Sequence, residues 1–143
     1  METKIGTCEF ERRMVALCLG GVGPGLPRRQ RDRHILLKSV VLVLGHGRSY
    51  TEAAINDLLE SWLDAVGPAV RLDHVSLRRH LIDQGYVERD AAGEGYRVCP
   101  SQTPGRVFEP GVDEVNPLAA VRAARVEREE RRRGRGFGER HPS

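Results

Sequence analysis

Aromatic residues are scarce in this chain, at 5% of its 143 residues, which leaves few rings that could stack on bases or sugars. Long hydrophobic runs are missing as well. Because no stretch reaches the ~18 consecutive apolar residues of a membrane-spanning helix, we expect no membrane association. Cysteine is limited to three residues without Cys-x-x-Cys spacing. An odd number of unpatterned thiols is typical of reduced proteins, so we expect a cytoplasmic location.

Lysine is nearly absent, since only two of the 23 basic residues are lysines, and the net charge is +3. That excess is too small to indicate a nucleic-acid partner by itself. Its distribution is more informative, because residues 117–143 carry eight arginines against four glutamates. Together with 39% hydrophobic and 30% charged residues, this pattern predicts a compact core with polar appendages.

Sequence motifs of the common enzyme classes are missing too, including G-x-S-x-G and H-E-x-x-H. His74 and His80 lie on one predicted helix but about 240° apart around it, so they do not face a single metal ion. The carboxylates are scattered singly and form no evident acid–base pair. We therefore predict a protein that is not an enzyme and has no catalytic residues, no metal and no cofactor.

Apolar residues at helical spacing predict four helices over the main part of the chain: residues 7–19, 28–44, a third helix that begins at the N-cap residue Thr51, and residues 73–84. The valine-rich second half of 28–44 is also compatible with a strand. After Gly85, which suits a helix C-terminus, strand-forming residues flank Asp90-Ala91-Ala92-Gly93. This pattern predicts a β-hairpin of residues 86–89 and 95–98.

Three helices followed by a hairpin give the order of a winged-helix-like α+β unit, with marginal or disordered termini. The predicted division is an N-terminal extension with a Gly-rich linker (1–25), the winged-helix-like domain (26–98), a Pro-containing linker (99–116) and a basic C-terminal helix with a disordered tail (117–143). Because the last two segments have few large apolar residues, we expect the tail to be separable from the fold.

Two adjacent arginines on the helix predicted over 73–84 are expected to have different roles. At about 100° per residue, Arg78 falls within the apolar arc and Arg79 at its edge. A buried charge needs a partner, so we predict that Arg78 has a structural role and pairs with Glu52, Asp73 or a helix-end carbonyl. The apolar arc itself contains His74, Val75, Leu77, Leu81 and Ile82.

Further basic residues are candidates for phosphate contacts. A predicted helix begins with Arg28, Arg29 and Arg31, at the end where positive charge opposes the helix dipole. This placement is compatible with an anionic partner and equally with an ordinary solvated basic face. In the hairpin, Arg89 and Arg97 are predicted to straddle a phosphate backbone, and Arg79 is predicted to meet a phosphate or a base. Pairing of the hairpin arginines with Glu88 or Glu94 is the alternative.

Residues 26–98 also resemble the bacterial family called domain of unknown function 2087. The matching stretches are Leu26-Pro27-Arg28-Arg29, Tyr50-Thr51-Glu52 with Ile55-Asn56 and Leu59, the block from Asp73 to Asp83 with Gly85, and Arg89-Asp90 with Gly93 and Tyr96. The resemblance implies a domain found in predicted transcriptional regulators, alone or behind a helix-turn-helix module, and supplies no established activity.

From these patterns we predict a nucleic-acid-binding regulator, acting on DNA rather than RNA. Its nucleic-acid-binding residues are predicted to be Arg28, Arg29, Arg31, Arg79 and Arg89. The alternative is a protein-interaction or sensor module of a regulatory complex that makes no direct nucleic-acid contact. The near-neutral charge of residues 27–98 favours the alternative, and the basic tail favours nucleic acid.

Overall fold

The amphipathic segments read from the sequence fold as helices in the structure, a computed structural model that describes residues 4–20, 25–65, 71–90, 95–99 and 108–140, with side chains up to Gly134. The described elements are α1 (Thr7–Gly20), α2 (Gln30–Leu44), β1 (Ser49–Thr51), α3 (Glu52–Ala65), α4 (His74–Asp83), β2 (Val87–Arg89), β3 (Gly95–Val98), a 3₁₀ helix (Pro110–Glu114) and α5 (Pro117–Arg140).

Helix α2 lies at the centre of the core. Every residue from Ile35 to Val41 is buried, and a helix that is apolar nearly all around must have neighbours on all sides. It contacts α1, α3 and α5. The valine-rich second half is therefore helical rather than extended, with Val40 and Val41 buried in this position.

Three short antiparallel strands form one sheet in the order β1-β3-β2. The predicted hairpin is confirmed, with Val87 opposite Val98. Strand β1 was not predicted; it forms because Tyr50 pairs with Tyr96 across the sheet, a long-range contact with no local signal. Gly95 permits this pairing, since a Cβ there would lie 2.7 Å from the Tyr50 carbonyl oxygen.

From α2 to β3 the elements follow the order helix, strand, helix, helix, hairpin. This order is consistent with a winged-helix-like arrangement. The α+β class is confirmed. Two predicted features lie partly outside the described residues, namely the Gly-rich segment at 21–24 and the hairpin turn at 91–94. In the part of the chain that the structure describes, no helix combines the length and apolarity needed to cross a membrane.

The flanking segments differ from the expectation of separable ends. Phe108 forms a backbone bridge with Ile5, and its ring meets Phe10 edge-on with centroids 5.9 Å apart. Val112 and Val121 are also buried in the same core as α2 and α3. The large apolar residues of 108–126 are few, but most of them reach the core, so the segment 108–121 is joined to the fold.

A buried lysine ties the 3₁₀ helix to α2. The Lys38 side chain is 1% exposed, and its Nζ lies 2.7 Å from Asp113 Oδ1. His46 Nε2 lies 3.1 Å from Lys38 Nζ and 3.3 Å from Asp113 Oδ1, and His46 Nδ1 lies 3.3 Å from the Cys99 carbonyl oxygen. This cluster of Lys38, His46 and Asp113 closes the core where the sequence predicted a linker.

Candidate nucleic-acid interface

Helices α3 and α4 form the pair that presents the candidate surface. Asp73 caps α4 by accepting a hydrogen bond from the Ser76 backbone N–H at 2.6 Å. That hydrogen bond is the main reason why the pKa of the Asp73 carboxyl lies below its usual value. Leu77 and Leu81 are fully buried, and Gly85 follows the helix with the positive φ of 82° expected of it.

Arg78 is held inside the domain, on the side where the sequence placed it. Its Nη1 donates to Asn56 Oδ1 at 2.6 Å and lies 3.5 Å from Glu52 Oε1, with the side chain 15% exposed. Its guanidinium carbon stands 5.0 Å from the centre of the Tyr96 ring. Of the two predicted acidic partners, Glu52 is the one in contact, whereas Asp73 is engaged as the helix cap.

Sequence reasoning missed Asn56 and Tyr96 as partners of Arg78. Asn56 lies one helical turn after Glu52, so a polar pair on one face of α3 was the available signal. Tyr96 reaches Arg78 only through the folding of the hairpin. The predicted buried arc was also too wide, because Val75 is 45% exposed.

Arg79 lies about 100° further around α4 than Arg78, on the solvent-exposed side of the helix. It shares that side with Val75 and Asp83, which are one helical turn away in each direction and also exposed. Within the described part of the chain, Arg79 has no ion-pair partner. Its guanidinium is therefore available to a ligand, as the sequence predicted for the edge of the apolar arc.

The hairpin is attached to α4 through Tyr96. Arg89, directly opposite Tyr96 in the sheet, places its guanidinium carbon 5.7 Å from the centre of the same ring. One buried ring is thus shared by an internal arginine of α4 and an exposed arginine of the hairpin. For Arg97 the structure shows the predicted alternative, pairing with a hairpin glutamate, because Arg97 lies 3.6 Å from Glu88. Glu94, the other predicted partner, is outside the described residues.

Contacts with α1 engage one of the three predicted arginines around the first turn of α2 and leave the other two exposed. Arg28 and Arg29 are exposed, as a phosphate contact requires. Arg31 is not available: its Nε and Nη2 each lie 2.6 Å from a carboxylate oxygen of Glu9. This bidentate contact lowers the pKa of Glu9. The prediction that Arg31 binds nucleic acid is therefore corrected, because α1 supplies its anion.

A second bidentate pair strengthens the same junction. Arg13 of α1 donates to both carboxylate oxygens of Asp32, at 3.2 and 2.8 Å, and Asp32 is only 6% exposed. This hydrogen bonding raises the pKa of the Arg13 guanidinium. Charges near the start of α2 thus stabilise the packing of α1, a structural role that the sequence did not reveal.

The start of α2 also lies next to the end of α4. His34 Nδ1 is 2.8 Å from the hydroxyl oxygen of Tyr86, the residue that follows Gly85. Burial raises the pKa of the Tyr86 hydroxyl, so Tyr86 stays neutral in this contact. The start of α2 therefore adjoins one end of α4, and the hairpin packs against its middle.

A helix pair with an adjoining hairpin is consistent with a winged-helix-like arrangement, and the sequence comparison identifies the family. The chain belongs to the family described as uncharacterized protein conserved in bacteria (DUF2087), whose sequence model matches residues 25–98. The family predicted from residues 26–98 is thus confirmed. No curated protein and no solved structure matches the chain.

Substituting the two adjacent arginines of α4 is expected to give opposite results. Arg78→Ala should lower the free energy of unfolding by about 2–3 kcal/mol, because it removes a charged hydrogen bond and a cation–ring contact. Arg79→Ala should change it by less than about 0.5 kcal/mol, as exposed substitutions usually do. Urea denaturation of both variants measures the difference, and equal losses would contradict the assignment of Arg78 to the interior.

Proposed function

We propose that this protein is a non-enzymatic, nucleic-acid-binding regulator that acts on DNA in the cytoplasm. The observation that carries the proposal is the exposed, unpaired Arg79 on the second helix of the α3–α4 pair. In helix-turn-helix proteins this second helix enters the major groove. The neighbouring Arg78 is occupied by Asn56 and Glu52, so the two arginines divide structural and ligand-binding roles.

Exposed basic residues on two other segments support the proposal. Arg89 on the hairpin and Arg28 and Arg29 before α2 are exposed. Phosphate contacts of this kind set the orientation of a protein on the duplex without reading sequence. Arg79 is the residue placed to reach a base edge or a phosphate within the groove.

Duplex DNA suits this surface better than single-stranded RNA. Sequence-specific RNA recognition depends on exposed aromatic side chains that stack on unpaired bases. Here Tyr86 and Tyr96 are buried, and Tyr50 is half-buried with its hydroxyl donating to the Leu44 carbonyl. A helix with a flanking hairpin presents the shape that fits a major groove and the adjoining backbone.

The buried thiols favour a non-enzymatic role. Burial raises the pKa of Cys18 to about 12 and also raises that of Cys99. Both side chains are therefore protonated thiols at neutral pH. The thiolate, not the thiol, acts as a nucleophile, so neither residue is suited to nucleophilic catalysis.

Binding to duplex DNA should depend steeply on salt. With phosphate contacts from the four remaining arginines, a plot of log affinity against log salt concentration should have a slope of about −3 to −4. Fluorescence anisotropy with a labelled random-sequence duplex, and with a single-stranded RNA of the same length, measures it. If the folded protein binds neither at low salt, the protein-interaction alternative takes its place.

Variants of α4 make the same titration specific to the proposed surface. Arg79→Ala should reduce the salt slope by about one if this residue contacts a phosphate, or relax specificity at one position if it reads a base. Asp83→Asn should strengthen binding, because it removes a negative charge from the same exposed side. Arg122→Ala is the matched control, since it removes an exposed arginine on α5 and should leave binding unchanged.

A further inference from the structure

A cleft separates the second half of α1 from α5. Its volume is about 440 Å³, and its apolar floor is formed by Val15, Leu19 and Ala124. Val15 and Leu19 lie one turn apart on α1, and both are only half-buried. Beside this floor, residues 127–133 of α5 are all charged. Three arginines of this run line the cleft, but the run supplies no apolar side chain that would cover Val15 and Leu19.

The α5 wall of the cleft is basic. It contains Arg128, Arg131 and Arg132, of which Arg131 forms an ion pair with Glu127 at 3.0 Å. Arg128 and Arg132 lie one helical turn apart and have no acidic partner among the described residues. The opposite wall ends at Gly20 with no basic residue in its last turn, so it presents the negative end of a helix dipole. An acidic ligand would therefore face α5.

We infer that this cleft docks an acidic, amphipathic helical segment of a partner protein. Apolar side chains one turn apart on that segment would cover Val15 and Leu19, and carboxylates beside them would pair with Arg128 and Arg132. This is the helix-in-groove mode of recognition, in which anchors recur at helical spacing. A nucleic-acid backbone would satisfy the arginines but would leave the apolar floor uncovered, so charge and apolarity together favour a peptide.

The surface is separate from the one proposed for DNA, and the inference does not depend on DNA binding. Arg79 and Arg89 belong to α4 and the hairpin, whereas the cleft is built from α1 and α5. The two surfaces can therefore be tested with different variants of the same full-length chain.

The test uses a labelled synthetic alanine-rich helical peptide with leucines at positions i and i+4 and a glutamate beside each leucine. We expect saturable binding to the full-length protein, with NMR shifts concentrated on the methyl groups of Val15 and Leu19. Replacing both leucines of the peptide by serine should abolish these shifts. If the serine peptide binds equally well, the attraction is only electrostatic and the inference is wrong.

Charge variants locate the site without disturbing the core. The double variant Arg128→Ala/Arg132→Ala should weaken peptide binding roughly tenfold, which corresponds to about 1.4 kcal/mol. Arg122→Ala/Arg133→Ala is the matched control, because it removes two exposed arginines of the same helix that do not line the cleft, and it should bind as the unmodified protein does. Equal weakening in both variants would overturn the assignment.

Other occupants would give distinct results in the same experiment. If duplex DNA shifts the Val15 and Leu19 methyl signals and the peptide does not, the cleft is a nucleic-acid site and the peptide inference is wrong. If neither ligand shifts them, the cleft does not serve as a docking site, and the inference is equally overturned.

Discussion

Ending the chain after Cys99 is expected to unfold the protein. The truncation removes Phe108, Val112 and Val121 from the core and removes Asp113, the carboxylate that pairs with buried Lys38. Losing a buried aromatic side chain costs about 3–5 kcal/mol, and leaving a buried charge unpaired costs a similar amount. Together these losses approach the whole stability of an ordinary domain, about 5–15 kcal/mol.

A shorter truncation provides the control. Ending the chain after Val126 removes only exposed side chains among the described residues and should leave the melting temperature nearly unchanged. Circular dichroism melts of the full chain and both truncated forms measure the effect. A chain ending at Cys99 that still melts cooperatively within a few degrees of the full-length protein would show that the C-terminal segment is not part of the core.

Asp113→Ala is expected to lower the free energy of unfolding by about 2–4 kcal/mol. The loss arises mainly from Lys38, which would keep a buried ammonium with His46 as its remaining partner. It should fall somewhat below the 3–5 kcal/mol typical of a fully buried pair, because the Asp113 side chain is 36% exposed. Denaturant unfolding of this variant measures the change.

The partner variant separates the two contributions. Lys38→Met replaces the charge with an apolar chain of similar length and should cost less than about 1.5 kcal/mol. In the Lys38→Met background, Asp113→Ala should then have little further effect, since no buried charge remains to be left unpaired. An equally large loss in both backgrounds would show that Asp113 acts through some other contact.

Acid should weaken the same pair. Burial alone would raise the pKa of the Asp113 carboxyl, but the hydrogen bond and charge of Lys38, with a smaller effect of His46, hold it below its usual value. A carboxyl with a lowered pKa in the folded state stabilises the protein above its unfolded-state pKa of about 3.9. That contribution is lost as the pH falls through the folded-state pKa, and the loss should be absent in Asp113→Ala.

Local patterns predicted much of the fold. The helical spacing of Phe10, Met14 and Leu17 indicated α1, and Gly85 marked the end of α4. The hairpin followed from strand-forming residues around a turn. Each of these signals depends on residues close together in the sequence, for which periodicity and capping chemistry are direct physical determinants.

The candidate interface was predicted only in part. The positions of Arg78 inside the domain and Arg79 on its surface followed from the rotation of about 100° per residue around one helix. The fate of Arg31 could not be inferred in the same way, because Glu9 lies on another helix. Asp73 was equally ambiguous, since an aspartate before a helix can either cap it or pair with a nearby arginine.

The sequence by itself determined the class of fold, the family, the helix and hairpin positions, and the placement of Arg78 inside the domain and Arg79 on its surface. Only the tertiary structure decided that β1 joins the sheet, that Lys38 is buried against Asp113, and that α1 and α5 complete the core. The reason is physical: helices and turns form through contacts within a few residues, whereas burial and ion pairing depend on side chains brought together from distant parts of the chain.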